Sequence, residues 1–330
     1  MLHKLGTTDL SVSPIGLGLA ALGRPGYINL GHAADLNQTY ALETMQHQAY
    51  SVLDAAWAAG VRYFDVARSY GRAEHFLGQW LTTRQIAPHA VTVGSKWGYT
   101  YTADWQVQAK QHEVKDHSLP VLERQWDQSQ AHLAPYLRLY QVHSATLDSG
   151  ILDDWAVLTR LQQLKAQGTM IGLSLSGVNQ AAVLNRALAI NVDGVRLFDC
   201  VQATWNLLEP AAGPTLASAH AAGMGVIVKE ALANGRLTLR NHEPSFAHCL
   251  ALLQQQAQRL QTTVDALALA AVLAQPWAAV VLSGATTVAQ LQSNLAARTV
   301  AWDAEAATIL AALAEPSPIY WATRSRLAWN

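Results

Sequence analysis

Cysteine is nearly absent from this chain. Cys200 and Cys249 are the only two and form no CxxC pair, which argues against a disulfide framework or a Cys-rich zinc site. Charge is also sparse. Asp, Glu, Lys and Arg make up 14% of 330 residues, against about 25% in an average domain. The formal net charge of −1 gives no electrostatic ground for binding nucleic acid or an anionic membrane surface. No run of about 18 apolar residues suggests a membrane span. The opening MLHKLGTTDL lacks the apolar stretch of a signal peptide, so a soluble, cytoplasmic protein is expected. No Gly-x-Gly-x-x-Gly fingerprint appears, which argues against an ordinary dinucleotide-binding Rossmann domain. No His-x-His or second ligand cluster follows the first strand, so no metal is expected.

Apolar residues, at 51%, can fill a large core and do not describe a disordered chain. Short β-rich runs alternate with longer amphipathic ones. Strands are expected at Ser13–Gly18, Tyr63–Val66, Ala90–Ser95, Leu137–Val142, Met170–Leu175, Cys200–Ala203, Gly225–Lys229 and Ala278–Leu282. Helical patterns fall between them, at Leu42–Ala59, Ala73–Thr82, Leu119–Leu133, Asp153–Ala166, Gln180–Ala189, Pro214–Ala222, Thr263–Ala274 and Val288–Ala297. Apolar positions in these segments recur at three- and four-residue spacing, as Leu158, Leu161 and Leu164 do. Eight strand–helix units imply a parallel sheet. They fit a closed (β/α)8 TIM barrel best, with an open doubly wound sheet as the alternative. No linker splits the chain, so residues 1–330 read as one domain. Lys4–Ser13 reads as an N-terminal β-hairpin capping the barrel. Leu22–Tyr40 and Trp97–Ser118 read as extended βα loops, where a barrel carries function; the tail after Leu313 fits no unit.

A barrel places its chemistry at the carboxyl ends of its strands. Those positions hold Asp65 and Tyr70, then Lys96, then His143, with Ser174, Gln202 and Lys229 after the next three. Each residue alone has a structural explanation: a turn aspartate, a packing tyrosine, a satisfied histidine. Together they form an acid–base set. A free tyrosine has a pKa near 10, and lowering it by about 3 units takes about 4 kcal/mol. One cation about 4 Å away, at an effective dielectric of about 20, supplies that amount. Lys96 is the candidate cation, and a buried lysine needs a carboxylate such as Asp65 to stay charged. His143 can orient a carbonyl oxygen or relay a proton.

These residues resemble the aldo-keto reductase family. The run YFDVARSYGRAE matches its signature of Asp, four residues, Tyr, Gly and a nearby Glu. KLGTTDLSVSPIGLG is similar to its N-terminal hairpin and first strand, VGSKWG to its Lys strand and LYQVHSA to its His strand. GATTVAQLQSNLAA resembles its C-terminal nucleotide segment, and the five pieces follow one another in the family's order. The resemblance implies that Tyr70 is the general acid/base, that Lys96 and Asp65 tune it, and that His143 orients the substrate. It further implies that Ser174 and Gln202 hold a nicotinamide carboxamide. Ala231, Leu232 and Gly235 would lie against the pyrophosphate, and Gly284, Thr286, Gln290 and Asn294 would surround the adenosine. Thr286 or Thr287 can also cap a helix whose amino end attracts phosphate.

Two departures stand out. Leu175 follows Ser174 where the family shows Asn, and Lys229 stands where an aromatic commonly stacks on nicotinamide. Lys229 can contact the cofactor's phosphate or the substrate, or pair with Glu230, while Trp205 can stack instead or simply pack. Members that prefer NADP often carry Arg where Gln290 stands, and a neutral Gln cannot pair with a 2′-phosphate. NADP is the expected cofactor, with NAD as the alternative. Trp97, Tyr99, Tyr101, Tyr27, Trp321 and Trp329 either wall a substrate pocket or pin loops to the rim, and His112 and His117 can line its mouth. The expected function is an oxidoreductase transferring a hydride between this cofactor and an aldehyde, ketone or sugar hydroxyl. The alternatives are a nicotinamide-binding regulatory barrel with little turnover and a metal-dependent hydrolase.

Overall fold

The eight β-rich runs pair in sequence order and close on themselves in the computed structural model, which describes residues 1–330. The strands are β1 (Ile15–Gly18), β2 (Tyr63–Asp65), β3 (Thr92–Trp97), β4 (Leu137–Ala145), β5 (Met170–Leu175), β6 (Cys200–Thr204), β7 (Gly225–Lys229) and β8 (Val280–Ser283). The barrel shuts where β8 pairs with β1, Val281 opposite Ile15 and Ser283 opposite Leu17. The helices are α1 (Leu42–Ala58), α2 (Ala73–Thr83), α3 (Leu119–Leu133), α4 (Trp155–Ala166), α5 (Gln180–Leu188), α6 (Gly213–Ala221), α7 (Val264–Leu273) and α8 (Val288–Leu295). Leu158, Leu161 and Leu164 are fully buried, as their shared spacing predicted. Asp154, Thr263 and Thr287 cap α4, α7 and α8 through side-chain oxygens. Helix α7 is apolar around most of its circumference because both of its faces are covered.

Side chains alternate along a strand, so residues two apart share the barrel interior. That rule stacks Tyr63 below Asp65, and Cys200 below Gln202. The N-terminal hairpin, His3–Lys4 with Ser11–Val12, plugs the opposite end. Its Leu5, Leu10 and Val12 form one buried cluster with Tyr63, Leu139, Cys200, Ile227 and Val280. The polar strand ends are thereby left at one mouth.

The ends of β3 and β4 run further than the sequence suggests. Lys96 and His143 lie inside strands rather than after them. Strand β4 breaks register between Val142 and Ala145, where Ser144 takes a positive φ of 51°; such a bulge re-aims the side chains beside it. The Trp97–Ser118 segment folds partly into a second hairpin, Tyr99–Tyr101 with Glu113–Lys115. Additional helices occupy Ala247–Arg259, Ala304–Leu310 and Ser317–Ser325.

The turn between β2 and α2 is fixed by Glu74, which is 2% exposed. Its carboxylate accepts from Ser95 Oγ of β3 (2.6 Å) and Ser129 Oγ of α3 (2.7 Å), and it pairs with Arg68. Gly78 lets α3 lie directly against α2, since an added Cβ would overlap the His132 carbonyl oxygen. Replacing Glu74 by Ala strands a half-buried guanidinium and two buried hydroxyls. The expected loss is about 3 kcal/mol of unfolding free energy, read from urea denaturation. An unchanged midpoint would show that the turn is held by other contacts.

Candidate active site

The site is built from the floor upward. Lys96 is fully buried, and its ammonium has three donors to satisfy. One goes to Asp65 Oδ1 as an ion pair, one to the Val66 carbonyl (3.0 Å) and one to Tyr70 Oη (3.2 Å). The other Asp65 oxygen, Oδ2, accepts from Gln202 Nε2 (2.8 Å) and Tyr63 Oη (3.2 Å). Because Lys96 donates to the Tyr70 oxygen, the phenol proton is left to point elsewhere. Burial, and then the charge of Asp65, hold the Tyr70 phenol well above its usual 10. This differs from the acidified phenol expected from Lys96 alone. The burial that fixes Lys96 also strips water from a phenolate, and Asp65 offsets the ammonium's field. Tyr70 therefore rests as a protonated acid. Burial likewise lowers the Lys96 ammonium, with Asp65 opposing.

His143 sits edge-on to Tyr70, ring centroids 5.5 Å apart. Its Nδ1 lies 3.5 Å from Ser69 Oγ, and its backbone carbonyl meets His117 Nε2 at 2.8 Å. Burial, then Lys96 and Lys229, hold His143 well below 6.5, so it is a neutral imidazole with one N–H to offer. Across the mouth, Arg324 grips Glu230 with contacts of 2.5 and 3.0 Å. Against burial, Arg324 and Lys229 bring the Glu230 carboxyl down to about 2. Burial lowers Lys229 to about 8. Arg24 pairs with Glu113 (3.1 Å) and lies over the rings of Tyr27, Tyr70 and Trp329.

A cavity of about 440 Å³ opens above this floor. It runs from Tyr70 and His143, past Lys229 and the Ala231–Gly235 turn, to Gly284, Gln290 and Asn294. The structure thus brings Asp65, Tyr70, Lys96 and His143 together, and it lines one cavity with Gln202, Lys229, Ala231, Leu232, Gly235, Gly284, Gln290 and Asn294. Ser174 and Thr286 stand behind the wall. The Ser174 hydroxyl accepts from the Ser144 amide (2.8 Å), and Thr286 Oγ1 donates to Asp35 (3.2 Å). Thr287, not Thr286, caps α8. Gln202 Nε2 is engaged by Asp65, so its carbonyl oxygen is the part free for another partner.

The aromatic candidates divide. Tyr27 and Trp329 line the cavity. Trp97 is fully buried against His117, and Trp205 packs on Trp277, its Nε1 bound to the Pro210 carbonyl. Tyr101 belongs to a different cleft. Tyr99 packs on His143 at 5.0 Å, Trp321 packs on Tyr320, and His112 stacks on Trp329 at 3.8 Å, pinning the tail. Sequence reasoning missed Arg24, Glu113, Asn234 and Arg324. For Arg324 no local signal exists, because its partner lies 94 residues away.

The residues present fit a nicotinamide dinucleotide. Asn234 Oδ1 is a buried acceptor without a partner on the cavity wall. An added Cβ at Gly284 would meet nothing within 4 Å, so backbone borders open space there. Loop residue Leu30, itself part of the cavity wall, donates to the Asn234 carbonyl (3.0 Å).

Comparison with known proteins agrees with this geometry. The model of the Aldo/keto reductase family matches residues 14–315. The uncharacterized oxidoreductase YqkF of Bacillus subtilis (strain 168) is 24% identical, over 89% of this chain and 90% of that protein. The NADH-specific methylglyoxal reductase of Escherichia coli (strain K12) is also 24% identical, over 94% of this chain and 97% of its own length. Among solved structures, aldo-keto reductase AKR11C1 of Bacillus halodurans superposes with a TM-score of 0.72 at 22% identity, covering 95% of this chain and 96% of that one. That last likeness speaks to the fold alone. No helix here is long and apolar enough to cross a membrane.

The Lys96–Asp65 pair gives a direct test of the floor. Lys96→Met leaves a buried, unpaired carboxylate and should cost about 3–5 kcal/mol in urea unfolding at pH 7. Adding Asp65→Asn should recover at least about 1 kcal/mol of that. Costs that simply add would mean the two groups are not coupled.

Proposed function

The chain belongs to the aldo/keto reductase family, and we propose that it moves a hydride between a nicotinamide cofactor and an aldehyde, ketone or sugar hydroxyl, with Tyr70 as general acid and base. One observation carries this reading: Lys96 donates to the Tyr70 oxygen from below while neutral His143 stands beside the ring, at the floor of a cavity of about 440 Å³. A bound nicotinamide would supply or accept the hydride. The remaining work belongs to the chain.

In reduction, the His143 N–H orients the carbonyl oxygen and Tyr70 Oη delivers its proton to that oxygen. The tyrosine oxygen is left charged 3.2 Å from the Lys96 ammonium. At an effective dielectric of about 20 that attraction is about 5 kcal/mol, before Asp65 opposes it. Burial that keeps the phenol protonated at rest makes it an acid held ready; the nearby ammonium makes its conjugate base tolerable. Oxidation reverses both transfers. Gln202 contributes its carbonyl oxygen toward a carboxamide, and the Ala231–Gly235 turn and Asn234 border the dinucleotide's middle.

Of the two cofactors, NAD(H) suits the far end of the cavity better than NADP(H). Arg240 is the cation there, and Asp35 already holds both arms of its guanidinium at 2.5 and 2.7 Å. Asp265 adds a second carboxylate, and Gln290 Oε1 is taken up by Thr286. A 2′-phosphate would enter a region whose net charge is already negative. The NADH-specific relative from Escherichia coli points the same way.

Two measurements test this reading. Tyr70→Phe should lose at least about a hundredfold in turnover while still binding NADH; full turnover would remove Tyr70 from the mechanism. Quenching of the 11 tryptophans should saturate with NADH at roughly tenfold lower concentration than with NADPH, one such factor being worth about 1.4 kcal/mol. Tighter NADPH binding would reverse the cofactor assignment. Tight binding with no turnover across a broad carbonyl panel would favour a regulatory barrel instead.

A further inference from the structure

One cation at the reaction end of the cavity has no hydrogen-bonded acceptor. Lys96 is matched by Asp65, Arg324 by Glu230, and Arg24 by Glu113. Tyr70 and His143 are both neutral. Lys229, the last residue of β7, lines the same cavity as Tyr70 and His143, and its side chain is 16% exposed. Its nearest anion is Glu230 Oε1 at 3.8 Å, beyond hydrogen-bond reach. The Glu230 oxygens are already taken by Arg324 and by Thr204 Oγ1 (3.2 Å). The Lys229 ammonium thus opens on the cavity with a carboxylate at 3.8 Å and no side-chain acceptor within hydrogen-bond reach, so an anionic ligand there gains charge-assisted hydrogen bonds that the fold leaves unfilled.

We propose that Lys229 is a specificity-determining residue whose ammonium receives a carboxylate carried by the carbonyl substrate. This rests on the hydride-transfer reading above and narrows its substrates to oxo-acids and their hydroxy-acid counterparts. The charge count selects a carboxylate over a phosphate. One monoanion brings the reaction end of the cavity to neutrality, whereas a dianion would leave a buried negative charge beside Asp65 and Glu230. Lys229 lines the same cavity as Tyr70 and His143, so the acid group it holds belongs on the molecule whose carbonyl meets them.

The groups acting on Lys229 are Glu230 beside it, Arg324 from the C-terminal helix, Lys96 from β3 and Asp65 from β2, with His143 of β4 across the cavity. Burial holds Lys229 at about 8, so its charge fades as pH rises through that value.

The test compares glyoxylate with glycolaldehyde, and succinic semialdehyde with butanal, in the wild type, Lys229→Met and Lys229→Arg. Cofactor effects common to both members of a pair cancel in the ratio of kcat/KM. The wild type should favour the acid on the order of ten- to hundredfold, mainly through KM. Lys229→Met should bring the ratio near one, and Lys229→Arg should restore most of it. In the wild type the ratio should fall above about pH 8, since kcat/KM follows the free enzyme. No preference in the wild type, or a preference that Lys229→Met keeps, overturns the proposal. A second arm needs no turnover: with NADH bound, oxamate should bind more tightly than neutral oxamide, and Lys229→Met should abolish the difference. Oxamate discrimination that depends on Lys229, in protein that turns over no carbonyl, would retain the anion site and discard the hydride-transfer reading; equal binding of oxamate and oxamide would discard the anion site itself.

Discussion

The site hangs on one buried ammonium. Lys96 has no water to solvate it, so its three protons must find acceptors within the fold, and they find them on three different residues. A lysine placed there without Asp65 would shed its proton or unfold its surroundings. Satisfying it fixes the Asp65 carboxylate, and the other oxygen of that carboxylate then orders Tyr63 and Gln202. It also fixes the side of Tyr70 from which a donor arrives. The placement of Asp65, Tyr70, Gln202 and the cavity floor therefore follows from the solvation of a single charge.

A similar economy governs the rim. The chain has few charges, yet many sit in pairs joining segments remote in sequence. Arg24 of the first loop meets Glu113 of the third, Arg324 of the tail meets Glu230 after β7, and Arg240 meets Asp35. Exposed pairs of this type contribute little. In each of these pairs at least one partner is largely buried, and the contacts are bidentate or shared with aromatic rings, so they tie segments outside the barrel to one another.

Much of this was legible in the sequence. Buried strands are apolar runs bounded by polar turns, so β1 to β8 announce themselves, and β5 and β7 were placed to the residue. The acid–base set was legible because barrel chemistry occurs at strand ends. The helices at Ala247–Arg259 and Ser317–Ser325 were not. The first buries only Leu253, Gln256 and Ala257, and the second only Tyr320, so neither carries a continuous apolar stripe. Ion pairs such as Arg324–Glu230 leave no local pattern at all. Ser174 illustrates a subtler limit. Its place on β5 was legible, but the bulge at Ser144 that claims its hydroxyl depends on register, which no single strand reveals.

The contacts between the first loop and the turn after β7 have a temporal meaning. Leu30 is bonded to Asn234, and Arg240 reaches the Leu30 and Gly31 carbonyls as well as Asp35. These residues line the cavity or bond to residues that do, so the first loop and the turn after β7 hold each other beside it. Loop contacts of this kind open at far lower free energy than barrel strands do, so local motion concentrates at this edge of the cavity while the floor around Lys96 stays fixed.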